Sequence, residues 1–184
     1  MAEDKVQLTP IDSQSMLWQL QPSDAPLKGK ATKVVFRTDG SLKKSTSIGT
    51  ADTMDGEVSS AGAKSEEASF TSYVVPKDTS IETLEHCYDK GISVKVWRTN
   101  LKDKDDTGYQ TDFFYALIEN FEQSESTGDK VELSVDLKIQ GLSKKGRMDI
   151  PDDVVEMALY GFEKPGEWTG DLNDPKRKQD TVGK

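Results

Sequence analysis

Cysteine and histidine are almost missing from this 184-residue chain, which holds one of each, Cys87 and His86. A lone thiol closes no intramolecular disulfide, so the cysteine count gives no support to a secreted, stapled domain. Zinc sites of the usual composition need more Cys and His than the sequence contains. Basic residues are also few. The 24 Lys and Arg stand against 33 Asp and Glu, a net charge of −9 that disfavours any task of gripping phosphates. No stretch approaches the roughly 18 consecutive apolar residues of a spanning helix, and Met1–Lys5 leads into no apolar run. Neither membrane contact nor a leader is expected.

The familiar catalytic signatures are missing too: there is no phosphate-cradling glycine motif, no HExxH and no GxSxG. His86 and Cys87 are neighbours on a predicted helix, where successive side chains point about 100° apart, so they cannot form a nucleophile–base pair unaided. A packed thiol and a surface or interface histidine are expected instead. Asp103-Lys104-Asp105-Asp106-Thr107-Gly108 starts like a calcium loop, but Phe114 stands where the bidentate glutamate belongs. Glu66/Glu67 and Asp152/Asp153 are carboxylate pairs of the kind glycoside hydrolysis uses, and in so acidic a chain they read as solvated surface. No cofactor is expected.

What remains is β-patterned. Residues 1–30, broken by Pro10, Pro22, Pro26 and Gly29, read as an N-terminal arm. Thr32–Thr38 is a predicted strand ending at Asp39-Gly40. The following residues 39–55, rich in Gly, Ser, Thr and Lys, read as a long loop of the kind that binds or moves. Gly56–Gly62 and Glu66–Val75 are predicted as two strands joined by Ala63-Lys64-Ser65. Thr79-Ser80-Ile81-Glu82 has the form of a capping box opening a helix, with Ile81, Leu84 and Tyr88 on its apolar face and Gly91 as its stop.

Strand signals return at Ile92–Arg98, followed by a polar linker over 100–108 and a hairpin of Thr111–Glu122 with Lys130–Gln140. Its second arm alternates cleanly: Val131, Leu133, Val135, Leu137 and Ile139 face one way, and Glu132, Ser134, Asp136, Lys138 and Gln140 the other. Residues 154–162 are apolar without a deciding period, and residues 164–184 read as a tail. The fold class is α+β, mainly β: an antiparallel sandwich or barrel-like domain over 31–163 with one flanking helix. Charge is uneven, since residues 28–44 hold six bases and only Asp39 as acid, a surplus that could attract other copies of the chain.

This order of elements resembles the major tail proteins of siphophages infecting Gram-positive bacteria. The likeness runs from about Thr32 to Gly141, through the long loop, Gly56-Glu57-Val58-Ser59-Ser60, Glu67-Ala68-Ser69-Phe70, the helix, Val94-Lys95-Val96-Trp97 and Leu133–Gly141. The resemblance implies a phage tail tube fold and a structural, non-enzymatic role in the virion. Subunits would be made in the host bacterial cytoplasm and form hexameric rings stacked around a tape-measure protein, with tail terminator and distal tail proteins at the ends. Viral DNA would pass without tight binding. It also implies roles for residues. Asp39, Lys43, Lys44, Ile48 and Met54 would lie on an inter-ring loop, and Glu57, Ser59, Glu67, Ser69, Glu132, Ser134, Asp136 and Lys138 would face the lumen. The competing reading is a monomeric β-rich carbohydrate- or surface-binding module, for which Trp18, Trp97 and Trp168 are too scattered to form a platform; an acid/base hydrolase is the third.

Overall fold

In the computed structural model, residues 10–151 and 154–155 are described. Among them, strands β1 (Met16–Pro22), β2 (Thr32–Lys33), β3 (Arg37–Thr53) and β4 (Gly56–Tyr73) precede helix α1 (Thr79–Lys90). Strands β5 (Val94–Asp105), β6 (Gly108–Ser124), β7 (Glu132–Ile139) and β8 (Lys144–Met148) follow it. The strands are ordered β2-β1-β5-β6-β7-β4-β3, with β8 beside β6. The pairings β1–β2, β3–β4, β4–β7 and β6–β7 are all antiparallel.

Trp18–Arg98 and Asp112–Gly146 make one compact unit. Its core takes one face of β4, β5, β6 and β7: Leu133, Val135, Leu137 and Ile139 from β7, Ala68 and Phe70 from β4, Phe114 and Ala116 from β6, and Val94 and Val96 from β5. Trp18 of β1 lies 5.6 Å, centroid to centroid, from Phe70 of β4, although these strands are not neighbours in the sheet. The sheet of this unit therefore curls back over its own core. Helix α1 adds Ile81, Leu84 and Cys87 to that core, and Tyr88 stays at its margin against Phe121. Among the described residues, the second unit contains 10–17, Thr99–Thr111, 147–151 and 154–155. Its small core is Leu17, Leu101, Tyr109 and Ile150, with Val154 and Val155 against it.

Five expectations change. Within residues 1–30, Met16–Pro22 is not arm but strand, and Trp18 and Leu20 are wholly buried. Residues 39–55 are not a loop: β3 runs through Asp39-Gly40 to Thr53 and pairs with β4 from Arg37↔Ser72 to Thr53↔Gly56. Ala63-Lys64-Ser65 is no connection, because β4 passes straight through it, and β5 likewise runs through 100–105 of the supposed linker. The cap of α1 is Asp78, whose Oδ1 accepts from the Ser80 amide at 2.8 Å and the Ser80 hydroxyl at 2.7 Å, so Thr79 is already helical. Gly91, at φ +61°, closes the helix as expected. Residues 156–162 and the tail 164–184 lie outside the described residues.

Candidate functional site

Two features stand out from the core. The first is a four-stranded outer face. Directly paired residues of antiparallel strands share a face, so the wet side of β7 can be followed across the ladder. Lys138 pairs with Glu67, which pairs with Lys43; Asp136 with Ser69 and then Ser41; Ser134 with Thr71 and then Asp39; Glu132 with Tyr73. On the other side β6 adds Leu117, Asn120, Glu122 and Ser124. The expected residues Glu67, Ser69, Glu132, Ser134, Asp136 and Lys138 thus come together, and Asp39 and Lys43 join them.

This face is hydrogen-bonded within itself. Ser41 and Ser69 meet at 2.9 Å, Thr71 and Ser134 at 3.3 Å, and the Asn120 amide donates to Asp136 at 3.4 Å. Lys138 donates to Glu67, and Lys43 stands 3.8 Å from the same carboxylate. The Lys138 hydrogen bond lowers the pKa of Glu67, and that of Lys138 rises in return. Glu119, whose charge also acts on Lys138, brings the face to six carboxylates (Asp39, Glu67, Glu119, Glu122, Glu132, Asp136) against two lysines (Lys43, Lys138). The residues on the four paired strands thus carry a net −4, with Lys130 at the margin, 4.9 Å over the Tyr73 ring. Sequence reasoning missed its aromatic end, where Trp97 packs 5.2 Å from Phe113, and Phe113 the same distance from Tyr115. The signal was present in the Phe113/Tyr115/Leu117 alternation.

The second feature is the outer length of the β3–β4 hairpin. From Lys43 to Thr53 and from Gly56 to Ser65 every residue is exposed, so neither face of this ribbon has a core to cover. Ile48 (68% exposed), Val58 (56%) and Met54 at the tip are apolar side chains in water. A register shift between Thr46 and Ile48 puts an extra residue into β4. Beyond it Glu57 and Ser59 pair with Asp52 and Thr50, out of phase with the row of Glu67 and Ser69. Glu57 and Ser59 therefore do not join the other six.

Lys44 departs from the inter-ring set in another way. It turns to the opposite face from Lys43 and donates to Glu66 at 2.9 Å and to Ser143 Oγ at 2.7 Å. Glu66, 7% exposed, also accepts from the Ser143 amide at 2.8 Å. Burial pushes the Glu66 pKa up, yet the bonds from Ser143 and Lys44 outweigh it and hold the pKa below the usual carboxylate value. A depressed folded-state pKa adds stability above the unfolded pKa, and that stability is lost as pH falls through the folded one. Glu66→Ala is expected to cost about 1–3 kcal/mol in urea unfolding at pH 7, because the Ser143 amide loses its acceptor. The difference from wild type should shrink at acid pH.

The catalytic candidates have structural duties. His86 Nε2 sits 3.1 Å from Asp24, while the Cys87 thiol is buried and pushed up to about 11, by that burial and by the charge of Asp24. Arg147 holds both Asp103, at 3.0 Å, and Asp105, at 2.9 Å. Glu66 and Glu67 point to opposite faces and cannot flank one bond; Asp152/Asp153 and Trp168 lie outside the described residues. The six bases of 28–44 are likewise split: Lys43 and Lys44 point to opposite faces, and Arg37 stacks over Trp18 at 5.6 Å.

Dry inner face, wet outer face and unsupported ribbon together define a β-rich domain that leaves a long two-stranded ribbon without a core of its own. Comparison with known proteins narrows the class: residues 10–145 match the phage tail tube protein family, and the chain belongs to it. It is 28% identical over 166 residues to tail tube protein gp17.1* of Bacillus phage SPP1, covering 89% of this chain and 63% of that relative's length. The hybrid NMR and cryo-EM structure of the SPP1 tail tube superposes with a TM-score of 0.72 at 25% identity, covering 88% of this chain and 95% of the other. A gene transfer agent tail, determined with C6 symmetry, has the same fold (TM-score 0.56, 11% identity, 73% and 98% coverage). The matched family is one of phage tail tube components.

Proposed function

We propose that six copies of this chain close into a ring, that rings stack into a non-contractile tail tube, and that DNA passes through its bore. The observation carrying this reading is the β3–β4 ribbon. An isolated two-stranded hairpin is marginal in water, and this one also leaves β3 as a long open edge of the sheet. Such an edge is a hazard unless other strands cover it, and a ring of identical subunits covers every edge with the next copy. The ribbon then reaches the adjacent ring, presenting Ile48 and Met54, while the face containing Glu67, Asp136 and Lys138 lines the bore. The C6 symmetry of the gene transfer agent tail and the SPP1 tube support this arrangement. Partners beyond the chain itself are a tape-measure protein inside the tube and terminator and distal tail proteins at its ends.

Replacing Thr46–Lys64 by Asn-Gly, a turn suited to the Ser45↔Ser65 pair, should leave the core folded. Negative-stain microscopy of the purified variant should then show no tubes at concentrations where the wild type forms them. Normal tubes from this variant would remove the ribbon from assembly.

A further inference from the structure

The inner row of β4 runs Glu66, Ala68, Phe70 and Ser72, and its charged member stands where the core stops. Glu66 is 7% exposed, while every residue of β4 before it is exposed. A carboxylate taken out of water is weak evidence for stability even when it is paired, because desolvation offsets the attraction. An apolar residue in that row would simply extend the core. What the carboxylate adds is direction.

Strand β7 ends at Ile139, so beyond Glu67↔Lys138 it no longer flanks β4. The turn after β7 takes over at that point. Gly141, at φ +78°, reverses the chain, and Ser143 returns to the root of the ribbon, where its amide donates to Glu66 at 2.8 Å. Lys44, directly opposite Glu66 in the ladder, bridges the two by donating to Glu66 at 2.9 Å and to Ser143 Oγ at 2.7 Å. The turn is itself tied down. The Gln140 amide donates to Tyr115 O at 2.8 Å, and its side-chain carbonyl accepts from Ser93 Oγ at 2.7 Å. Both ribbon strands are thus joined at their root to β6 and to the residue before β5.

Farther out, the side-chain hydrogen bonds among the described residues stay inside the ribbon: Ser47 to Ala63 O, Ser60 to Gly49 O and Thr53 to Gly56 O. From Lys44 to Thr53 the ribbon runs about 30 Å at the usual strand rise, so a 10° change at the root moves its tip by about 5 Å. Apolar contacts reach only about 4.5 Å. We infer that Lys44, Glu66 and Ser143 form a clamp that aims the ribbon, with Glu66 and Lys44 as positioning residues for the stacking of one copy of this chain on the next. This rests on the inter-ring role proposed for the ribbon and names what sets its direction.

The test uses full-length protein and three readouts: melting curves, the concentration at which tubes appear, and the helical twist of the tubes by cryo-electron microscopy. Lys44→Met and Glu66→Gln each uncouple Lys44 from the carboxylate, yet both leave an oxygen at residue 66 to accept from the Ser143 amide. The Lys44 side chain is 49% exposed, so both variants should melt within about 3 °C of wild type. A ribbon aimed correctly about one-tenth of the time binds about tenfold more weakly. Tubes should therefore need at least about ten times the wild-type concentration, and their twist should vary from tube to tube. Lys44→Arg keeps the cation and should restore a single twist, at a concentration within about threefold of wild type.

Wild-type concentration and twist in both Lys44→Met and Glu66→Gln, or no rescue by Lys44→Arg, overturns the clamp. Loss of assembly accompanied in both by a melting point about 10 °C lower also overturns it, since the pair would then be an ordinary structural bond. The Thr46–Lys64 replacement separates the two readings. If it forms no tubes while Lys44→Met and Glu66→Gln assemble as wild type, the ribbon keeps its role and only the clamp is lost; normal tubes from the replacement overturn both.

Discussion

Trp18→Ala is expected to unfold the subunit well below the wild-type melting temperature. Trp18 is 1% exposed, packs on Phe70 and has the Arg37 guanidinium over its ring. Truncating a buried tryptophan costs about 3–5 kcal/mol, against a total stability for ordinary domains of about 5–15 kcal/mol. The melting midpoint should fall by on the order of 10 °C, and Trp18→Phe, which keeps a ring against Phe70, should lose much less. Circular dichroism melts of the two variants decide it. A Trp18→Ala midpoint within about 3 °C of wild type would mean that β1 is an appendage to the core, as residues 1–30 look in the sequence.

The misreading of β1 and that of β3 have different causes. In β1 the punctuation misleads: Pro10, Pro22 and Pro26 break the region, yet Pro22 ends a short strand whose apolar Leu17, Trp18 and Leu20 are too few to establish a period. In β3 there is no period to find. A ribbon with water on both faces has no dry row, so Gly, Ser, Thr and Lys can form a 17-residue strand that carries no hydrophobic signal. Asp55-Gly56 was the trace of the turn, and pairing with β4 rather than side-chain burial defines the strand. Strand β7 was legible for the opposite reason, since Leu133, Val135, Leu137 and Ile139 are all buried.

The site follows the same rule. The alternation of β7 carries over the ladder to Glu67 and Ser69, so these residues could be grouped with Asp136 and Lys138 in advance. It stops at the register shift near Thr46, which no side-chain pattern announces, and Glu57 and Ser59 fall out of phase there. Lys44 was beyond reach for another reason. Its partner Ser143 is 99 residues away, and only the fold reveals that the two share Glu66.

DNA delivery should respond strongly to reversing charge on the outer face. Wild type presents six carboxylates and two lysines there, and Glu132→Lys with Asp136→Lys leaves four of each, changing the face from −4 to neutral. Neither side chain is in the core, and what Asp136 forgoes is a 3.4 Å bond from Asn120, so rings and tubes should still assemble. Single repulsions matter little, because two unit charges ~8 Å apart in water interact by about 0.5 kcal/mol before screening, and the Debye length at physiological salt is also about 8 Å. Attraction differs because it accumulates. Lysines meeting successive phosphates release counterions, so the hold on the duplex grows with each contact and falls steeply as salt rises. Ejection from particles bearing the double variant should therefore be at least about tenfold slower near 50 mM salt and approach the wild-type rate near 200 mM. The rate is read as DNA release against ionic strength. A rate equal to wild type at every salt concentration would place this face away from the DNA, and the bore would have to be lined by another surface of the subunit.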